Sequence, residues 1–118
     1  VEARGFLVGM PIAYNMHKGF ITVRKPGKIP GEIMSEEYAL EYGTNTIEMD
    51  ANILKPGDKV VIVDDLLATG GTLDATIKLV ERAGAEVVAV GFLVELTGLK
   101  GREENSGYDI FSLVDWEY

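Results

Sequence analysis

Lys59-Val60-Val61-Ile62-Val63-Asp64-Asp65-Leu66-Leu67-Ala68-Thr69-Gly70-Gly71-Thr72 runs from a β-branched apolar stretch into two acids, then into small, hydroxylated and glycine residues. Its opening, Lys59 to Asp64, has the length and composition of a buried strand. A second such run is Glu86-Val87-Val88-Ala89-Val90-Gly91-Phe92-Leu93-Val94. Between them Leu73, Ile77 and Val80 fall at helical spacing on one face, with Asp74, Lys78, Glu81 and Arg82 on the other. Thr72 is suited to cap the start of that helix and Gly84 to end it. Strand, glycine turn, helix and strand make a βαβ unit, whose right-handed crossover leaves the two strands parallel. The prediction is an α/β fold with these strands at the centre of a mostly parallel sheet flanked by helices.

Outward from this unit the signals weaken. Phe6 to Met16 is apolar enough for a buried helix, with Pro11 tolerable only near its first turn. Phe20-Ile21-Thr22-Val23-Arg24 reads as a strand, and Tyr108 to Val114 as another after the polar segment Lys100 to Gly107. The stretch from Lys25 to Gly57 has little core character. It opens on the breaker-rich Lys25-Pro26-Gly27-Lys28-Ile29-Pro30-Gly31, and Tyr42-Gly43-Thr44-Asn45-Thr46 resembles a hairpin turn between polar strands. Some thirty such residues within a small fold predict a β-hairpin flap over about 25–57.

The 118 residues are one domain's worth, 47% hydrophobic and 25% charged, which excludes a disordered chain. Eleven Lys and Arg stand against nineteen Asp and Glu, a net −8 that disfavours nucleic acid and anionic lipid as partners. No Cys is present, so disulfides, thiol nucleophiles and Cys-based metal sites are excluded; the lone His17 excludes a two-histidine metal motif. No apolar run approaches the ~20 residues that span a bilayer, and Val1-Glu2-Ala3-Arg4-Gly5 lacks the order of a signal peptide, so the expected location is cytoplasmic. The first residue is Val rather than Met, which leads to the expectation that an upstream segment is missing.

Chemistry concentrates in the opening stretch. Asp64 and Asp65 arrive at the carboxyl end of a buried strand, where α/β proteins bind ligands. Ala68-Thr69-Gly70-Gly71-Thr72 then opens a helix whose backbone N–H groups and hydroxyls suit a phosphate dianion. The two carboxylates suit neutral hydroxyls, such as a ribose diol, or a metal-bound ligand, and beside a phosphate cradle they describe a ribose 5-phosphate site. A P-loop would need Lys before Thr72, where Gly71 stands, and no G-x-G-x-x-G occurs. Arg4, Lys18, Arg24, Lys25 and Lys28 place five of eleven cations in the first 28 residues. Arg24, Lys25 and Lys28 bracket a Pro/Gly turn and either converge on a polyanion or form an ordinary solvated loop. Glu36, Glu37, Glu41 and Glu48 read equally as a hydrated acidic face. His17 is read as structural or surface, and Met10, Met16, Met34 and Met49 as filler.

The apolar run with Asp64-Asp65 and Ala68 to Thr72 resembles the phosphoribosyl diphosphate motif of the type I phosphoribosyltransferases. The likeness extends to Glu2-Ala3-Arg4-Gly5-Phe6, Val23-Arg24-Lys25-Pro26-Gly27-Lys28, Leu40-Glu41-Tyr42-Gly43 and Leu93 to Arg102. These latter segments favour the family's adenine-using members. The resemblance implies a glycosyltransferase of purine salvage that moves the 5-phosphoribosyl group from phosphoribosyl diphosphate to adenine, giving AMP and diphosphate. Ala68, Thr69, Gly70, Gly71 and Thr72 would hold the 5′-phosphate, Asp64 and Asp65 would face the ribose hydroxyls, and Arg4 would meet the diphosphate with Arg24, Lys25 and Lys28. Glu41, with Tyr42 beside it at the flap tip, is the expected catalytic carboxylate. Mg²⁺ would be carried by the substrate's diphosphate, with no direct protein ligand, and a homodimer is expected. Of the family's strand into the Glu2 loop only Val1 remains, and the hood over the purine is expected to be absent. Another purine (xanthine, guanine or hypoxanthine) as acceptor, or a non-catalytic module binding a nucleotide or phosphoribosyl diphosphate, are the competing readings.

Overall fold

Residues Lys59–Leu67 form strand β3, whose parallel neighbour is β4, Glu86–Leu96. The computed structural model describes residues 1–40 and 42–117. The β3–β4 register runs from Lys59 opposite Glu86 to Leu67 opposite Glu95, with an irregularity between Val60 and Val61. Strand β5, Ile110–Trp116, adds in parallel on the far side of β4, so the sheet order is β3-β4-β5. Earlier in the chain come helix α1, Phe6–Asn15, and strands β1, Ile33–Ala39, and β2, Thr44–Asp50. Helix α2, Gly71–Arg82, joins β3 to β4, and a short helix α3, Gly101–Glu104, precedes β5.

The βαβ unit forms as its periodicity requires. Leu73, Ile77 and Val80 of α2 are buried against Ile62, Leu67, Val90, Phe92 and Ile110 of the sheet. Lys78 faces solvent and pairs with Asp74 at 2.9 Å one turn earlier. A second face of α2 is also buried: Ala75 and Leu79 pack with Val23, Ile47 and Met49. The helix is thereby wedged between the parallel sheet and the β1–β2 hairpin, giving two small cores that share one helix.

Several expectations are corrected. Among the described residues β4 is the central strand and β3 lies at the edge of the three. Strand β3 also continues past the acid pair to Leu67. Helix α1 forms but is not buried: Gly9 alone among its residues is, while Leu7 and Tyr14 are 78% and 75% exposed. It is held through Phe6, whose ring meets Phe20 edge-on at 5.9 Å, and Pro11 stands in its interior rather than its first turn. Phe20 to Arg24 is not a strand; Arg24 makes a lone antiparallel bridge with Glu48. The hairpin is not core-poor, because Ile47 and Met49, in register with Glu36 and Met34 of β1, are buried in the second core. Thr72 does not cap α2. That position belongs to Gly70 in the left-handed region at φ 91°. Met10 and Met16 are exposed rather than filling a gap, whereas Met49 does fill one.

Candidate active site

At the carboxyl end of β3 an open cavity of about 550 Å³ lies between the turn that starts α1, the loop after Val23 and the N-terminus of α2. It gathers Arg4, Lys25, Lys28, Asp64, Asp65, Ala68, Thr69, Gly70, Gly71 and Thr72 from three separate stretches of sequence. Glu2, Ala3, Leu66, Leu67, Leu73 and Phe92 complete the lining. Two sequence-selected residues stand elsewhere: Arg24 lines a second, smaller cavity of about 270 Å³, and Tyr42, 86% exposed in the hairpin turn, is not part of the cavity lining. Glu41 lies outside the described residues.

The cradle is built by glycine. Gly70 enters α2 at φ 91°, and a Cβ there would stand 2.7 Å from Asn105 Nδ2 and 2.9 Å from the Gly101 carbonyl. Both the dihedral and the close approach of α3 demand a residue without a side chain. Asn105, buried, donates from Nδ2 to the carbonyls of Gly70 at 3.3 Å and Gly101 at 3.0 Å. The first-turn N–H groups of Gly71, Thr72 and Leu73 have no carbonyl a turn earlier to receive them, and the helix dipole adds positive potential there. Thr72 Oγ1 donates to Tyr38 Oη at 3.0 Å, so β1 of the hairpin reaches the cradle's rim. Tyr38 and Asn105 were not singled out by the sequence. Their only signal is contact across 34 and 35 residues, which no local pattern encodes.

The two acids differ in environment. Asp64 is half-buried, and that burial pushes its carboxyl up to about 7 although its Oδ1 accepts the Asp65 N–H at 2.8 Å. Gly5 packs so closely that a Cβ there would come within 2.5 Å of Asp64 Oδ1. Asp65 instead pairs with Arg4 Nε at 2.7 Å. Lys25 and Lys28 line the same cavity. Arg24 sits behind, its guanidinium 5.8 Å from the Phe6 ring centre and its backbone paired with Glu48. The cavity therefore offers N–H donors for one phosphate, carboxylates for neutral hydroxyls, and a cationic wall for further negative charge. Among the described residues no group of three or more His, Cys, Asp or Glu is arranged to hold a metal. Nor is any described helix long and apolar enough to cross a membrane.

The family model described as "Phosphoribosyl transferase domain" matches residues 1–118. An adenine phosphoribosyltransferase of Alkaliphilus oremlandii is 57% identical over 117 residues, covering 99% of this chain and 68% of the relative. The crystal structure of adenine phosphoribosyltransferase from Thermoanaerobacter pseudethanolicus superposes with a TM-score of 0.95 at 56% identity, over 98% of this chain and 67% of that one. The Trypanosoma brucei enzyme, solved in complex with AMP, pyrophosphate and ribose-5-phosphate, gives a TM-score of 0.88 at 35% identity, over 97% of this chain and 53% of that one. The chain thus spans about two thirds of the length of its bacterial relatives. With a full-length family match and a fold superposing this closely, the chain belongs to the phosphoribosyltransferase family, among the adenine phosphoribosyltransferases.

Proposed function

We propose that this chain is the phosphoribosyltransferase core that moves the 5-phosphoribosyl group from phosphoribosyl diphosphate to adenine, giving AMP and diphosphate. The observation that carries the proposal is the single cavity holding a helix-N-terminal cradle, two carboxylates and a basic wall. In that reading Ala68 to Thr72 hold the 5′-phosphate. Asp64 and Asp65 accept from the ribose hydroxyls, while Arg4, Lys25 and Lys28 meet the diphosphate. A bond forms between a ring nitrogen of adenine and the ribose C1, the bond from C1 to the diphosphate oxygen breaks, and the adenine nitrogen gives up its proton. The charge that leaves on the diphosphate is what the basic wall stabilises, and positioning of both reactants does much of the rest.

Mg²⁺ belongs to the same proposal. It would be carried on the diphosphate oxygens of the substrate, with no direct protein ligand, as a hard cation that favours phosphate oxygens; Asp65 is already paired with Arg4, and both acids are left to the ribose hydroxyls. When bound, it would neutralise the departing diphosphate. Glu41 is assigned from the family likeness to charge stabilisation or proton transfer at the base, and Tyr42 to the flap that closes beside it. Arg24 keeps its assignment to the diphosphate through the loop it shares with Lys25, and a cytoplasmic homodimer is part of the reading.

The test is turnover of the purified protein with Mg²⁺, phosphoribosyl diphosphate and each purine in turn, following diphosphate and nucleotide. AMP formed with adenine as the sole productive base is the expected result. Turnover with guanine, hypoxanthine or xanthine instead reassigns the acceptor, and ligand binding without product assigns a binding module.

A further inference from the structure

Glu2 has a buried side chain, 5% exposed, and meets all three cations of the loop that follows Val23. Its Oε2 accepts the Lys25 N–H at 2.7 Å, its Oε1 is ion-paired with the Lys28 ammonium, and Arg24 Nε stands 3.8 Å from Oε2. The Glu2 N–H donates to the Val23 carbonyl at 2.9 Å, which brings the two loops side by side. The Lys28 hydrogen bond, followed by the Lys25 N–H, holds the Glu2 carboxyl below the ordinary glutamate range. One carboxylate thus ties the turn carrying Arg4 to the loop carrying Lys25 and Lys28, and both line the cavity.

A buried acid beside a site for a polyanion has two physical consequences of opposite sign. Its charge repels the incoming anion, so its removal would tighten binding. Its hydrogen bonds also restrict a long, rotamer-rich lysine and the loop backbone, so that less freedom is lost when the ligand arrives. The geometry decides between them. Glu2 spends its charge on Lys28 and the Lys25 N–H at contact distance, and a compensated carboxylate repels a neighbouring anion weakly while its ordering effect persists. From this geometry we infer that Glu2 is a positioning residue for the diphosphate end of the cavity: it holds Lys28 and the Lys25 backbone against the wall before the anion binds. The inference rests on the functional reading above, in that the anion is taken to be a diphosphate.

Titration calorimetry with two probes, Mg²⁺-diphosphate and ribose 5-phosphate, separates the possibilities. Glu2→Gln keeps the side chain's size and an acceptor for the Lys25 N–H but removes the ion pair. Its expected effect is about tenfold weaker binding of Mg²⁺-diphosphate with ribose 5-phosphate binding unchanged, since the latter relies on the cradle. Lys28→Met should weaken diphosphate binding as well, and the double variant should be no weaker than Lys28→Met alone if Glu2 acts through Lys28. Glu2→Asp retains the charge with a shorter reach and should fall between Gln and the unsubstituted chain. Unchanged or tighter diphosphate binding by Glu2→Gln overturns the inference, as does an equal loss for both probes, which marks a merely structural role. Should Glu2→Gln not fold, Glu2→Asp with Lys28→Met carries the same test. Failure of the unsubstituted protein to bind either probe overturns the functional reading, and this inference with it.

Discussion

Asp64 is the residue at which the site's chemistry and the protein's stability oppose each other. Burial raises its carboxyl from 3.8 to about 7, so between those values the folded chain keeps a proton that the unfolded chain has released. The stability this group contributes is therefore complete below about pH 4 and is lost as pH rises to about 7. Asp64→Asn removes the ionisation. Its Tm should exceed that of the unsubstituted chain by several degrees at pH 8 and by little at pH 4.5, following the usual few degrees per kcal/mol. A Tm difference indifferent to pH would show that burial does not govern this acid. The same variant should bind ribose 5-phosphate more weakly, because an amide is a poorer acceptor for two hydroxyls than a carboxylate. Gly70 makes the opposite case, with function and fold wanting the same thing. Gly70→Ala combines a left-handed φ of 91° with overlap on Asn105 and Gly101, and should cost about 1–3 kcal/mol in chemical denaturation. A loss below about 0.5 kcal/mol would mean that α3 moves aside freely. Contiguity made these residues legible: Asp64 to Thr72 act as one run of chain. Glu2, Tyr38 and Asn105 were not legible as site residues, because each acts through partners 23 to 35 positions distant.

Helix α2 is the element on which both halves of the structure depend. Its Leu73–Ile77–Val80 face was readable from periodicity because helical spacing is a local property. Its Ala75–Leu79 face was not, since nothing local says that Ile47 and Met49 of a hairpin return to cover it. For the same reason the hairpin read as having little core character, and α1 read as buried although Leu7, Met10, Ile12 and Tyr14 are exposed. Apolar content alone does not state which neighbours a segment will meet. The hairpin's attachment to α2 is explicit: Arg82 Nη1 donates to the Ser35 carbonyl at 2.6 Å and meets Glu36 at 3.1 Å, while Thr72 donates to Tyr38. Leu79 is fully buried where helix and hairpin meet. Leu79→Ala should therefore cost about 2–5 kcal/mol, measured by urea unfolding. Proteolysis should also begin in the hairpin at lower urea than elsewhere, since its base loses the most contact. Uniform loss across the chain would instead mean that the two cores unfold as one.

Across the whole molecule, a chain of net charge −8 must receive a polyanion. Two fields compete at the cavity. The general negative charge is spread over a body with extents of 39 × 36 × 25 Å, whereas Lys25, Lys28 and Arg4 line the cavity itself. Screening separates them by distance, because the Debye length is about 10 Å at 0.1 M salt and about 30 Å at 0.01 M. At 0.1 M the distributed charge is largely screened at the site and the lining cations still act; at 0.01 M the whole molecule is felt. The expected salt dependence is consequently not monotonic. Affinity for Mg²⁺-diphosphate should fall as salt rises above about 0.1 M, because only the local attraction remains to be screened. Below about 0.02 M it should flatten or fall again as the general repulsion returns. Calorimetric titrations from low to high salt measure this directly. Affinity that climbs steadily with salt through the upper range would mean that the distributed charge outweighs the basic wall, and Lys25, Lys28 and Arg4 would lose the role assigned to them.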